Sequence, residues 1–206
     1  MKGLYRNEYD FFQNHYKKSF ITVMIVGVIT AIITFCLGLY FEEFIVQQFH
    51  IIADQMVDKS VVEPDNFETF LSTSFNNILI GLIIILIGYI PIYGLPVIYG
   101  LISFAAVGIV AGYGSIMNYD VLKTMMIAFV PHAIIEIIPI LYSITVGMYI
   151  NKNMVKRLYL RKKNTVKSAT MFKKGIQSYL LIVAPFFLLA AFVESFITTL
   201  LIDIYL

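Results

Sequence analysis

The sequence predicts an all-α integral membrane bundle of about five transmembrane helices with interfacial amphipathic helices, and three observations predict it. Of 206 residues, 59% are hydrophobic and only 14% charged, with a mean hydropathy of +0.83. Water-soluble domains carry about 45–50% apolar and 25% charged residues, so this balance argues against a globular cytosolic enzyme. Apolar runs long enough to cross about 30 Å of hydrocarbon, roughly 20 residues each, recur five times along the chain. Lys and Arg gather in two of the segments between and beside those runs, and acids gather in another, as the positive-inside rule requires of a five-span protein.

The whole chain reads as one membrane domain. Residues 1–19 place Leu4, Tyr5, Tyr9, Phe12 and Tyr16 on roughly one helical face, which predicts a cytoplasmic interfacial helix acting as an anchor. Residues 20–41 form the first span. It is not a cleavable signal, because polar and aromatic residues precede it and no small-residue cleavage site follows. Residues 42–73 carry Glu42, Glu43, Asp54, Asp58, Glu63, Asp65 and Glu68 against Lys59 alone, which suits the outer side. Within them Phe44, Ile45, Phe49, Ile52, Ala53 and Met56 repeat at helical spacing, predicting a cap over the bundle or a solvated loop with an apolar face.

Residues 74–113 hold the second and third spans as a hairpin, turned at Tyr89-Ile-Pro-Ile-Tyr-Gly-Leu-Pro96, where two prolines and a glycine break the apolar run. Gly100, Ala105, Gly108 and Gly112 form a small-residue stripe for close helix packing. Residues 124–150 are the fourth span and 175–205 the fifth. Between them, residues 151–174 form a basic cytoplasmic loop with Lys152, Lys156, Arg157, Arg161, Lys162, Lys163, Lys167, Lys173 and Lys174. This loop either fixes topology alone or docks an acidic partner or anionic lipid. With Lys2, Arg6, Lys17 and Lys18 before the first span, the N-terminus is expected in the cytoplasm and the C-terminus outside a bacterial cytoplasmic membrane. The lone Cys36 rules out an internal disulfide, and His15 and His50 read as interfacial surface residues.

Three ionisable residues stand inside predicted spans. His132 and Glu136 lie four residues apart on one face of the fourth span, and Glu194 lies in the fifth. A charge near the bilayer centre costs at least about 2.5–3.5 kcal/mol, which makes each a functional-site candidate. With a rise of about 1.5 Å per residue, His132 falls roughly 12 Å, Glu136 roughly 18 Å and Glu194 roughly 14 Å below the outer boundary, so the three can meet. Asn76 and Asn77, just inside the second span, extend the cluster upward. Pro131 and Pro139 flank the His132/Glu136 turn, and Pro185 lies below Glu194; each frees a carbonyl that needs protein or water to satisfy it. Three readings stay open. His132, Glu136 and Glu194 hold a divalent metal such as zinc, with the carboxylates as catalytic groups and Asn76 and Asn77 orienting substrate; or they form a satisfied polar bolt between helices; or they pass protons. The spacing is not His-Glu-x-x-His, so no metalloprotease signature is present.

Ser74-Phe75-Asn76-Asn77, the stretch from Val130 to Pro139 with its Pro-His-x-x-x-Glu-x-x-Pro pattern, and the stretch from Ala191 to Thr198 together resemble the stage II sporulation protein M family of polytopic membrane proteins. The similarity covers most of the chain. Family members usually have Gly after the His, where this chain has Ala133. The resemblance implies five or so spans and a role around the cell envelope. The family's namesake looks like a platform that localises wall-degrading enzymes, and relatives accompany circular bacteriocin clusters. The expected function is a metal-dependent intramembrane hydrolase or peptidase acting on membrane-associated peptides. The alternatives are a non-catalytic scaffold or immunity protein and a small proton-coupled transporter. Expected partners are the lipid bilayer, a membrane peptide or envelope protein, and further copies of the chain in a homo-oligomer. Nucleic acid is not expected.

Overall fold

Inside a bilayer no water is at hand to bond free amides, so long apolar runs close their own hydrogen bonds as helices. The computed structural model describes residues 2–57, 65–117, 119–159 and 166–205, and among these it has helices and no strand. Helix α1 (Lys2–Phe11) leads through a wide turn, Phe12–Tyr16, into α2 (Lys17–Tyr40). Helices α3 (Glu42–Val57), α4 (Asn66–Ile87), α5 (Leu95–Ile116) and α6 (Tyr119–Leu158) follow. The last stretch is α7 (Ser168–Ser178), a wide turn Tyr179–Val183, α8 (Ala184–Phe192), a second wide turn Val193–Thr198, and α9 (Thr199–Tyr205). Five helical stretches are long and apolar enough to cross a membrane: Gly3–Tyr40, Asn66–Ile87, Leu95–Ile116, Met126–Leu158 and Ser168–Tyr205.

Several helices outrun the apolar spans the sequence delimits. Helix α6 has 40 residues, about 60 Å at 1.5 Å each. Hydropathy marks where hydrocarbon ends, but the helix continues through Asn151, Lys152, Asn153, Lys156 and Arg157 because nothing there breaks the backbone ladder. Pro131 and Pro139 lie within α6 without ending it. Asp58, Lys59, Glu63, Arg161, Lys162 and Lys163 lie outside the described residues, as do the side chains of Ile52, Ala53, Asp54 and Met56.

Helix α6 is the central post. Every residue from Pro139 to Gly147 is buried, so neighbours surround this stretch on all sides, and it packs against α2, α4, α5 and the α8 stretch. The closest pairing of the bundle is α2 with α5. Helices in lipid gain little from hiding apolar surface from apolar tails, so dispersion contact between small residues takes over. Gly27 lies under the Phe104 ring, Gly108 backs onto the Ala31 carbonyl and Thr34, and Gly112 faces the Phe35 carbonyl and Gly38. Gly108 and Gly112 of the small-residue stripe therefore seat the first span, whereas Gly100 meets Ile144 of α6. At the other end of α4, the backbones of Gly88 and Gly147 touch.

The α4–α5 connection is a tight turn over residues 88–94, as the Pro/Gly cluster predicts, and Gly94 sits at φ 85° where a side chain would be strained. Asn151, fully buried on α6, holds this turn: its Nδ2 donates to the Ile90 carbonyl at 2.6 Å and the Ile92 carbonyl at 3.0 Å, and its Oδ1 accepts from the Gly94 amide at 3.1 Å. Helix α3 folds onto the far end of α5, where Phe49 stacks on Tyr113 with ring centres 4.0 Å apart and planes 7° from parallel. This is the cap arrangement of the two read from the sequence.

Candidate functional site

His132 and Glu136 project from α6 one turn apart and are both half-buried, with Ala133 buried between them. The bracketing prolines lack amides, so the carbonyls one turn before each lose their helical donor in this region. Glu194 comes from the last stretch, where the backbone widens over Val193–Thr198. Such a turn takes one more residue than an α turn and re-aims the side chains that follow it; it is a frequent feature of functional sites. Here it carries the only carboxylate of that span's interior among the described residues, and it leaves Val193, Ser195 and Thr198 buried.

The three groups share one region of the bundle. The widened turn that carries Glu194 packs directly on α6, the helix of His132 and Glu136. His132 meets the Phe129 ring edge-to-face at 5.4 Å. Glu136 lines a cavity of about 210 Å³ between α5 and α6, together with Ser103, Phe104 and Phe129. Asn77 turns inward and is 7% exposed, whereas Asn76 faces outward, so only Asn77 is available to an interior site. Among the described residues, the buried hydroxyls of Ser74, Ser195 and Thr198, and of Ser143 about two turns beyond Glu136 on α6, have no hydrogen-bond partner.

Proximity of charge is not coordination. Among the described residues no three His, Cys, Asp or Glu side chains come together closely enough to hold a metal ion. What the arrangement does provide is half-buried polar groups along α6, with Glu136 facing α5 and Glu194 carried by the turn that packs on α6.

A second polar cluster lies where the sequence reading placed only an anchor. Glu8 is 2% exposed, and its Oε1 accepts from the Tyr142 hydroxyl at 2.8 Å and the Ser178 hydroxyl at 2.5 Å. Tyr16, fully buried, approaches the same Ser178 oxygen at 3.4 Å. Its signal was in the sequence: Glu8 falls three residues after Tyr5 and four before Phe12, inside the apolar stripe of α1. Asn151 had no such signal, because its partners are backbone groups some 60 residues away.

Residues 19–199 match the family model described as Stage II sporulation protein M, a stretch that contains Asn77, His132, Glu136 and Glu194 and begins after Glu8 and Tyr16. No curated protein and no solved structure matches the chain. The match spans most of the chain, from the first apolar helix to the last. The protein is a multi-pass membrane protein and belongs to the stage II sporulation protein M family.

Proposed function

We propose that the chain is a non-catalytic membrane platform that holds a cell-envelope protein against its acidic end. One observation carries this reading: the stacking of Phe49 on Tyr113 pins α3 to the bundle, so that the exposed Glu42 and Glu43 of its first turn are held at a fixed place on the membrane border. Exposed Asp65 and Glu68 at the start of α4 add to the same acidic run. Carboxylates held this way attract a basic partner surface and set its encounter rate and register. On the charge-rule reading this end faces outward, which suits an envelope partner. The family resemblance points the same way, through a namesake that looks like a platform for wall-degrading enzymes.

The test is site-directed photo-crosslinking from the exposed Gln47 in the native membrane. Reversing Glu42 and Glu43 to Lys is expected to reduce the yield of the crosslinked partner about ten-fold, the change that roughly 1.4 kcal/mol of lost charge complementarity produces. Raising salt is expected to reduce it as well. Glu136→Gln and Glu194→Gln are expected to leave the yield unchanged. Equal yields from the wild-type and charge-reversed chains refute the platform reading.

The hydrolase reading makes a separate demand, a bound metal. Elemental analysis of the purified protein is expected to find less than one equivalent of any divalent metal, with no change on His132→Ala. One equivalent of zinc that disappears with His132→Ala restores the hydrolase.

A further inference from the structure

The Glu8 cluster is incomplete. Both hydroxyl donors converge on Oε1, and among the described residues the buried Oε2 has no hydrogen-bond partner. A carboxylate this deep normally finds a cation or further donors, because an unpaired buried charge is costly. The neighbouring basic side chain does not serve it. Lys174, one turn before Ser178, directs its ammonium to the Phe11 ring at 4.7 Å and to the Gln177 side-chain oxygen at 3.4 Å.

Glu8 also lines a groove of about 490 Å³ on the wall of the bundle. Six aromatic residues share that lining: Tyr5, Tyr9, Phe12, Phe20, Tyr142 and Phe186. Phe12 lies nearly parallel to Tyr142, with ring centres 5.8 Å apart and planes 10° from parallel, and it meets Phe20 edge-on at 5.6 Å. Aromatic faces beside a buried carboxylate are the chemistry that recognises an ammonium group. A complementary charge stands nearby on α2: Lys17 is exposed and lies one turn before the lining residue Phe20. The site thus offers an acid and aromatic rings for a cation, an ammonium one turn away for an anion, and an apolar wall for a hydrocarbon chain.

We propose that this groove is a binding site for a membrane lipid with a primary-ammonium headgroup, a phosphatidylethanolamine. Its ammonium pairs with Glu8 Oε2, its phosphate lies toward Lys17, and an acyl chain runs along the groove. The lipid supplies the counter-charge that the fold withholds from Glu8, and it ties α1 to α6 and α7. Glu8, Tyr5, Tyr9, Phe12 and Lys17 lie before the family-matched region, whereas Phe20, Tyr142 and Phe186 lie within it; the groove shares no residue with the acidic end of α3.

The chain has no Trp, so Tyr9→Trp on the groove rim places a single fluorophore there. The protein is reconstituted in nanodiscs in which brominated phosphatidylethanolamine or brominated phosphatidylglycerol quenches that fluorophore. Half-maximal quenching is expected at about five-fold lower mole fraction of the ethanolamine lipid. Adding Glu8→Gln is expected to abolish the preference. Equal quenching by the two lipids, a preference for the anionic lipid, or a preference that survives Glu8→Gln overturns the proposal. If the Gln variant does not fold, competition in the Glu8 protein decides: unlabelled phosphatidylethanolamine is expected to relieve quenching, and equal relief by unlabelled phosphatidylglycerol overturns the site. Relief by soluble ethanolamine alone assigns the groove to a free amine and overturns the lipid.

Discussion

Asn151→Ala is expected to lower the unfolding free energy of the detergent-solubilised protein by about 3 kcal/mol, roughly 1 kcal/mol for each hydrogen bond removed. The side chain makes three bonds to one turn, two to carbonyls and one to an amide. Truncation leaves all three backbone groups without a partner at a site that is fully buried around α6. The turn cannot easily re-form around other partners, because Gly94 occupies a left-handed conformation and the backbones of Gly88 and Gly147 are already in contact. Asn153→Ala is the matched control. Its Nδ2 bonds only the Tyr149 carbonyl of its own helix at 2.8 Å, so a loss within about 0.5 kcal/mol is expected. An SDS or steric-trap unfolding titration measures both, and equal losses for the two variants contradict the assigned role of Asn151.

Gly108→Val is expected to cost about 3 kcal/mol, at the upper end of the usual range for overpacking. A Cβ at this position meets the Ala31 carbonyl and the Thr34 hydroxyl closer than real contacts allow, and the obstructing carbonyl is backbone that has no other rotamer to adopt. The two helices must separate, and the α2–α5 pairing is the main seat of the first span. Gly38→Ala, on the same interface, is expected to be near neutral, since the nearest atom to its added Cβ is the Gly112 Cα at an ordinary 3.7 Å. Protease susceptibility of the connection after α2, together with the same unfolding titration, separates the two variants. A Gly108→Val protein as stable as the Gly38→Ala protein refutes the close-packed interface.

The span count, the turn between the second and third spans and the small-residue stripe were legible in the sequence. Each depends on local properties: apolar length, Pro and Gly chemistry, and periodic small side chains. The same is true of His132, Glu136 and Glu194, whose side chains are anomalous in hydrocarbon wherever their neighbours lie. Depth arithmetic puts them at similar heights, and the turn that carries Glu194 packs on the helix that carries the other two. Which way each side chain turns within its span was not legible. A rise per residue sets height but not rotation, and the widened turn at Val193–Thr198 alters rotation within the last span. The same limit hid the difference between Asn76, which faces outward, and Asn77, which is buried.

The N-terminal helix shows most clearly where sequence reasoning stops. Its apolar stripe identifies a helix that lies against something, and no role for Glu8 within that stripe is read from the sequence. Only the fold supplied Tyr142 and Ser178, more than 130 residues away, and so turned Glu8 into a buried group. Sequence alone determined that this is a helical membrane protein and which residues stand against the polarity of their surroundings, because transfer between water and hydrocarbon is a property of each side chain by itself. Tertiary structure decided which of those residues meet, which carbonyls Asn151 answers and which oxygen of Glu8 is left over, because hydrogen bonds and charge pairs depend on distance and direction between residues remote in the chain.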